Sequence, residues 1–315
     1  MPNINLNTVD KVEIITLQDN YVDLTALDSN KIVTRAMPLK DNKFRSSLLA
    51  EHGFSAIVST ISERETHTIL FDTGFSEIGA VYNARALNVE WGAIEAIAFS
   101  HGHMDHTGGF KSVAAELPQK NLPVFAHPGI FRQPRYLKYS ADFKGYLPSL
   151  TREDITEAGM RLVETKTPQL IKDVLFLGEI PRKTDFEKGV PIAYYEENGL
   201  EKFDGIEDDT SLVMNLKDKG LVILSGCAHS GIVNTVRYAK EITGIDKVHV
   251  IMGGFHLGGP LFEPIIGRTT EELQKFNPAY VIPTHCTGRK AVNFMETAFK
   301  ERFILNMSGT KLTFV

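Results

Sequence analysis

Cysteine is scarce in this sequence, which has only Cys227 and Cys286 among its 315 residues. Two cysteines cannot staple a chain of this length, so a disulfide framework is excluded and a reducing compartment is indicated. The sequence also lacks an apolar run of about 18 residues, the length of a membrane span. Residues 1–20 lack the basic and apolar regions of a secretion signal. We therefore expect a cytoplasmic protein that makes no contact with a membrane.

Positive charge is not in excess, because 34 Lys and Arg residues stand against 39 Asp and Glu residues. The formal net charge is −5 and the pI is about 6.1. A chain without a basic field does not hold a phosphate backbone non-specifically, so we expect no nucleic acid partner. No repeat or linker-like tract interrupts the sequence, and 43% of its residues are hydrophobic. This composition excludes disordered and fibrous classes and predicts one compact domain over residues 1–315.

Short apolar segments that end in polar residues predict strands, and segments with helical spacing lie between them. The expected strands are 12–17, 55–59, 68–71, 96–99, 211–216, 221–225, 249–252 and 280–283. The expected helices are 76–87, 107–117, 232–243 and 270–275. Turn residues at 217–220 predict a hairpin between the strands on either side. The alternation of strands and helices predicts an α/β (α+β) fold.

Residues 131–190 differ from the rest because their periodicity is weak and aromatic and basic side chains are concentrated between Phe131 and Tyr146. This pattern predicts an insertion into the scaffold. Two interpretations stay open: a lid that holds a flat, anionic ligand by stacking and ion pairing, or an insertion with its own small core. Glu179 and Arg182 either close a site from this insertion or pair with each other on the surface.

Candidate metal ligands follow five of the predicted strands. They are Asp72, the segment from His101 to His106, Cys227 with His229, His256, and His285. The pattern H-x-H-x-x-H is expected by chance only about 0.01 times at this histidine content. A loop after a strand can direct His101 and His103 to one centre, while Asp105 and His106 face a second. The sequence therefore predicts two divalent metal ions a short distance apart.

The same residues resemble a known family. The segment SHGHMDHTGG at 100–109, preceded by FDTG at 71–74 and followed by PTH at 283–285, resembles the metallo-β-lactamase superfamily over roughly residues 10–290. The resemblance implies a four-layer αββα sandwich with a dinuclear metal site at one edge of its two sheets. Zinc is the metal we expect first, with manganese, iron and magnesium left open.

The resemblance also implies a role for individual residues. His101 and His103 match ligands of the first metal, whereas Asp105, His106 and His285 match ligands of the second. Asp72 matches an aspartate that braces the loop through hydrogen bonds and does not bind metal.

Two middle ligands of the superfamily are missing, and the corresponding segment reads SGCAHSG at 225–231. Cys227 falls where a bridging aspartate is usual, and His229 lies two residues further on. We expect His229 to be the middle ligand, with Cys227 as the alternative, because a thiolate also binds zinc. Asp208 or Asp209 is a weaker candidate for the position of the missing histidine.

A narrower resemblance rests on five segments. They are LAEHG at 49–53, LGEIPR at 177–182, GCAHSGI at 226–232, GGFHL at 253–257 and HCTG at 285–288. These resemble the subgroup named for 7,8-dihydropterin-6-methyl-4-(β-D-ribofuranosyl)aminobenzene 5′-phosphate synthase. The subgroup name implies a bond-forming reaction on a dihydropterin and a phosphate-bearing partner.

We expect a metal-dependent enzyme that acts on a phosphate-bearing or anionic small molecule, either by hydrolysis or by pterin condensation. Asp105 and His256 are the candidate catalytic residues, since Asp105 can take up a proton and His256 lies in a glycine-rich loop. A purely structural role for His256 stays open. For His127 and His52 we expect packing or capping. The alternative function is a small-molecule binding protein that keeps the fold without catalysis.

Overall fold

The computed structural model describes residues 3–37, 39–40, 42–44, 47–63 and 65–315. Its strands are β1 Thr8–Val9, β2 Lys11–Gln18, β3 Val33–Thr34, β4 Leu39–Lys40, β5 Lys43–Phe44, β6 Ser55–Ser62, β7 Glu65–Phe71, β8 Ile94–Ala98, β9 Pro123–Ala126, β10 Arg135–Lys138, β11 Lys144–Leu147, β12 Arg161–Glu164, β13 Gln169–Ile171, β14 Val174–Phe176, β15 Ala193–Glu197, β16 Leu200–Phe203, β17 Ser211–Leu216, β18 Gly220–Ser225, β19 Val248–Gly254, β20 Tyr280–Thr284 and β21 Lys311–Phe314. Its α-helices are α1 Gly79–Ala86, α2 Met104–Thr107, α3 Phe110–Glu116, α4 Arg152–Glu157, α5 Ile232–Thr243, α6 Ile266–Lys275 and α7 Arg289–Phe299.

The N-terminal sheet has the strand order β12-β9-β8-β7-β6-β2-β21-β3. Strands β7, β8, β9 and β12 run parallel to one another. The remaining pairs, from β7–β6 to β21–β3, are antiparallel. In β7, Ile69 and Phe71 join the core between the sheets, whereas Leu70 packs on the outer face. Because both faces of the strand are covered, this part of the sequence is continuously apolar.

The C-terminal sheet has the order β13-β14-β17-β18-β19-β20, with β1 beside β17. Strands β17 and β18 form the hairpin that the turn at 217–220 predicted. Strands β18, β19 and β20 are parallel. In β18, Val222 and Leu224 face the opposite sheet, whereas Leu221 and Ile223 face outward. The C-terminal ends of three parallel strands therefore meet at one edge of this sheet.

The two sheets pack face to face, and helices cover both outer faces. The core between the sheets includes Ile14, Phe71, Phe176, Leu224 and Met252, all fully buried. Helices α1 and α3 pack on the N-terminal sheet, and α5, α6 and α7 pack on the C-terminal sheet. This arrangement confirms the four-layer αββα sandwich.

A separate small sheet has the order β11-β10-β15-β16. Its strands come from 135–147 and 193–203, so it does not coincide with the insertion expected at 131–190. Part of that segment is scaffold: 161–164 adds edge strand β12 to the N-terminal sheet, and 169–176 adds β13 and β14 to the C-terminal sheet. Strands β12 and β13 are partly exposed, which explains the weak apolar pattern of the sequence here.

All of the predicted strands are present, and the helices differ mainly at their ends. The helix expected at 107–117 is divided between α2 and α3 at Gly108 and Gly109. Gly108 packs closely, since a Cβ atom there would lie 1.9 Å from the Phe75 carbonyl oxygen. The helix expected at 270–275 begins earlier, at Ile266. Among the described residues, no helix is both long enough and apolar enough to cross a membrane.

Candidate metal centre

The predicted site residues lie where five strands end. Asp72 follows β7, the loop that carries His101 follows β8, and Cys227 follows β18. His256 follows β19 and His285 follows β20. Because β7 and β8 are parallel, as are β18, β19 and β20, the packed sheets bring these strand ends to one edge of the sandwich.

The first group of candidate ligands contains His101, His103 and His229, whose ligand atoms lie within 4.8 Å of one another. The Nε2 atoms of His101 and His229 are 3.2 Å apart. Burial lowers the pKa of His101 and His229 well below the ordinary value and that of His103 to about 4. These imidazoles are therefore neutral near pH 7, which is the form that binds a metal ion.

The second group contains Asp105, His106, Cys227 and His285. The Asp105 Oδ2 atom lies 2.9 Å from His285 Nε2, and His106 Nε2 lies 3.1 Å from Cys227 Sγ. Burial alone would raise the pKa of Asp105, but the charges of His106 and His285 hold it well below the usual range. The sequence treated Cys227 and His229 as alternatives, whereas the structure brings both to the site: His229 joins the first group, Cys227 joins the second, and the two also form a third group with His256.

Asp72 lies behind the ligands and not among them. Its Oδ1 atom accepts a hydrogen bond from the Ser100 backbone N–H, and its Oδ2 atom lies 2.6 Å from His106 Nδ1. Burial lowers the pKa of His106, but the charges of Asp72 and Asp105 outweigh burial and raise it to about 9. Asp72 is thus placed to orient His106, as the resemblance implied.

Asp208 and Asp209 do not join either group. The Asp208 Oδ2 atom accepts from the Gly102 backbone N–H at 2.8 Å and pairs with the buried Arg135 guanidinium. The Asp209 Oδ2 atom accepts from the Ser230 backbone N–H at 2.8 Å. Each aspartate therefore fixes the backbone of one loop that carries candidate ligands. Nothing in the sequence indicates that Arg135 pairs with Asp208 and so supports the loop, because the two residues are 73 positions apart.

The remaining histidines have different positions. The His256 ring packs 4.2 Å from the His229 ring, and its Nδ1 atom is buried without a hydrogen-bond partner among the described residues. The His52 ring packs on the His285 ring, with centroids 4.6 Å apart, and its Nε2 atom lies 3.5 Å from Asp105 Oδ2, so His52 also borders the second group. His127 caps a 3₁₀ turn by accepting from the Gly129 N–H at 3.0 Å.

A cavity of about 440 Å³ lies beside both groups. Its apolar wall is formed by Leu137, Leu147, Val190, Ile192, Leu261 and Phe262. Leu137 and Leu147 belong to the small sheet, which therefore forms part of the wall. Two aromatic side chains in the turn between β10 and β11, Tyr139 and Phe143, are exposed.

Glu179 and Arg182 do not pair with each other. Arg182 donates to the Gly205 and His229 backbone carbonyls, and Glu179 Oε2 lies 3.7 Å from His127 Nε2. Arg182 therefore holds the backbone at a candidate ligand.

Four non-glycine residues at these strand ends have positive φ. They are Asp72, Ala228, His256 and His285, with φ between 43° and 58°. Such strain is costly for residues other than glycine and concentrates at functional sites. No pattern in a single sequence predicts it, because the side-chain types are unremarkable for their position.

The family model described as the metallo-β-lactamase superfamily matches residues 52–287. A curated relative from Methanocaldococcus jannaschii, named 7,8-dihydropterin-6-methyl-4-(β-D-ribofuranosyl)-aminobenzene-5′-phosphate synthase, is 34% identical over 95% of this chain and 96% of its own length. An uncharacterized protein of the same organism is 33% identical over 81% of this chain and 91% of its own length. Among solved structures, a metal-dependent hydrolase of the β-lactamase superfamily matches with a TM-score of 0.72 at 24% identity, covering 96% of this chain and 98% of its own.

Proposed function

The chain belongs to the metallo-β-lactamase superfamily, and from that premise we propose that it is an enzyme that uses two divalent metal ions to act on a phosphate-bearing small molecule. One observation carries the proposal. Seven candidate ligand residues converge at one edge of the sheets as two groups, each with ligand atoms within 4.8 Å of one another.

The donor types fit divalent metal ions. The first group offers three imidazoles, and the second offers two imidazoles, a carboxylate and a thiol. Nitrogen and sulfur donors favour zinc, and the carboxylate also suits iron or manganese. Metal ions held by these residues would supply a Lewis acid to an oxygen atom of the substrate.

The protein's own residues orient the substrate and handle its proton. The Asp105 side chain is 15% exposed and lines the cavity, so its carboxylate can accept a proton during the reaction. His256 also lines the cavity, and its unpartnered Nδ1 atom can hold or donate a proton at the reacting group. The apolar wall that includes Leu137 and Ile192 excludes water from one side of the substrate. We assign the small sheet this role of a lid.

The relative's name supports a bond-forming reaction on a dihydropterin. A second protein of the same organism, which has no assigned reaction, has a similar sequence identity over a shorter part of the chain. We therefore propose a phosphate-bearing substrate, and the assay below tests whether that substrate is a dihydropterin. Both cysteines are free thiols, as is usual in a reducing compartment, and we propose a cytoplasmic enzyme.

The test combines metal content with turnover on one sample. Protein purified without added metal is analysed for zinc, manganese and iron, and is then assayed with phosphomonoesters, phosphodiesters, lactones and a dihydropterin diphosphate plus an aromatic amine. Two equivalents of metal with turnover that His103→Ala abolishes are expected. Two equivalents with no turnover on any of these substrates would favour a binding protein, and less than one equivalent would overturn the proposed centre.

A further inference from the structure

A second cavity adjoins the metal centre. Its volume is about 650 Å³, and it shares Asn20, His285 and Gly288 with the cavity described above. Gly288 has no side chain to separate the two spaces. A substrate bound at His285 can therefore extend into either cavity.

The two cavities differ in charge. No described lysine or arginine lines the cavity at the metal centre, whose far wall is apolar. Arg289 lines the second cavity, and among the described residues it has no ion-pair partner. It is the first residue of α7, and the N-cap Gly288 has no side chain to satisfy the N–H groups of the first turn. A cation and free N–H donors at a helix N-terminus favour an anion.

Thr284 supplies an independent indication of a ligand. It is 3% exposed and lines the second cavity, yet its Oγ1 atom has no hydrogen-bond partner among the described residues. A buried hydroxyl without a partner is costly, and rotation of the Thr284 side chain toward a ligand oxygen in the cavity would remove that cost.

Asp19, an acidic residue that lines the same cavity, does not oppose the binding of an anion there. The Asp19 Oδ1 atom accepts from the backbone N–H groups of Asn20 at 2.6 Å and His285 at 2.9 Å. Its Oδ2 atom accepts from Asn306 Nδ2 at 2.6 Å. Asp19 is only 2% exposed, and its carboxylate oxygens are taken up by these contacts.

We propose that this cavity, the Arg289 pocket, binds the phosphate monoester end of the substrate while the reacting end lies at the metal centre. The inference rests on the proposed function, because that function makes the bound ligand the substrate of the enzyme. Arg289 and Thr284 are specificity-determining residues in this assignment, and the apolar cavity takes the uncharged part of the molecule.

The test measures the affinity of the full-length, metal-loaded protein for ribose 5-phosphate by calorimetry, with ribose as the unphosphorylated comparison. Arg289→Ala is expected to weaken ribose 5-phosphate binding about tenfold or more, in line with a charge-assisted hydrogen bond. The matched control is Lys290→Ala, which removes a neighbouring positive charge that already pairs with Glu263 at 2.6 Å. Alanine suits an exposed helix position, so both variants are expected to fold.

Thr284→Val separates ligand binding from stability. Because the hydroxyl has no partner in the protein, its removal costs no intramolecular hydrogen bond, and we expect stability to be unchanged or higher, with affinity lowered about threefold or more. Unchanged affinity in Arg289→Ala, an equal loss in Lys290→Ala, or no binding by the wild type would overturn the assignment. Arg289-dependent binding without turnover of any substrate would contradict the proposed function alone, whereas turnover with Arg289-independent binding would contradict this inference alone.

Discussion

The Oδ2 atom of Asp72 lies 2.6 Å from Nδ1 of His106, and both side chains are fully buried. The other ring nitrogen of His106, Nε2, faces the other residues of the second group and lies 3.1 Å from Cys227 Sγ. Asp72 therefore decides which nitrogen of His106 faces the metal site. Its positive φ of 58° shows that the backbone accepts strain to place the carboxylate there.

Asp72→Asn is expected to weaken binding at one of the two metal sites by about 10- to 100-fold. The amide is a weaker acceptor for the His106 Nδ1 proton than the carboxylate, so it holds the ring and its tautomer less firmly. Competition with a chelator measures the affinity of each equivalent. Asp246→Asn, at a fully exposed carboxylate, is the control and should bind both metals normally. Unchanged affinity for both equivalents in Asp72→Asn would show that Asp72 does not act through His106.

Cys227→Ser is expected to lose one metal equivalent, because the thiol belongs to the second group and serine is a poor zinc ligand. The first group is untouched and should retain its ion. Elemental analysis after dialysis gives the stoichiometry. The other cysteine provides the control: Cys286 is in neither group, so Cys286→Ser should keep both equivalents. A Cys227→Ser protein with two tightly bound ions would remove Cys227 from the ligand set.

His256→Gln is expected to keep both metal ions but to lower kcat by about 10²- to 10⁴-fold, the usual contribution of a general acid or base. The variant removes the titratable ring that lines the cavity beside His229. The control for the loss of a histidine is His249→Gln. His249 is a half-buried residue of β19 that packs on Tyr280 of β20. Loss of a metal ion together with activity would instead assign His256 as a ligand with Cys227 and His229.

The sequence predicted the parts of this protein that depend on local pattern. The buried strands were recognisable as apolar segments, and the segment from His101 to His106 holds its ligands within one loop. The arrangement of Cys227 and His229, close to each other and each near a different set of ligands, was not predictable, because residues two apart in a loop can face either centre. Ala228, which lies between them, has positive φ.

Contacts between distant segments escaped prediction for a different reason. Arg135 bonds to Asp208 across 73 residues, and β10 pairs with β15 to build the small sheet. Neither partner carries a local signal of the other. The short strands of the small sheet are also partly exposed, so their sequence lacks the continuous apolar run that identifies the scaffold strands.

Arg135→Met is expected to lower the free energy of unfolding by about 3–5 kcal/mol, because it leaves the buried carboxylate of Asp208 without its cation, whereas Asp204 keeps Arg132. The Gly102 loop should also loosen, since Asp208 holds its backbone. Urea unfolding of the metal-free protein measures the change. Arg85→Met, which breaks an exposed pair with Glu116, is the control and should have little effect. Equal effects of the two substitutions would contradict a special role for the buried pair.

Glu187 makes stability depend on pH at a place outside both metal groups. Its carboxylate accepts from the N–H groups of Val233 at 2.8 Å and Asn234 at 3.0 Å, in the first turn of α5. Burial outweighs these hydrogen bonds and raises the pKa of Glu187 to about 7, against 4.5 for the ordinary group. Between these values the native state holds a proton that the unfolded state has released. Stability from this residue is therefore fully present below about pH 4.5 and is lost as the pH rises through about 7.

Glu187→Gln removes this titration while keeping the side chain's shape. The unfolding free energy of the variant relative to wild type is expected to rise by about 3 kcal/mol between pH 4.5 and pH 8, since each pKa unit corresponds to about 1.4 kcal/mol. Urea unfolding at a series of pH values measures the difference. Glu241→Gln, at an exposed position of the same helix, should have the same pH dependence of the unfolding free energy as wild type. If Glu187→Gln shows the same pH dependence as wild type, the pKa of Glu187 is the same in the native and unfolded states, and the α5 N–H donors offset burial.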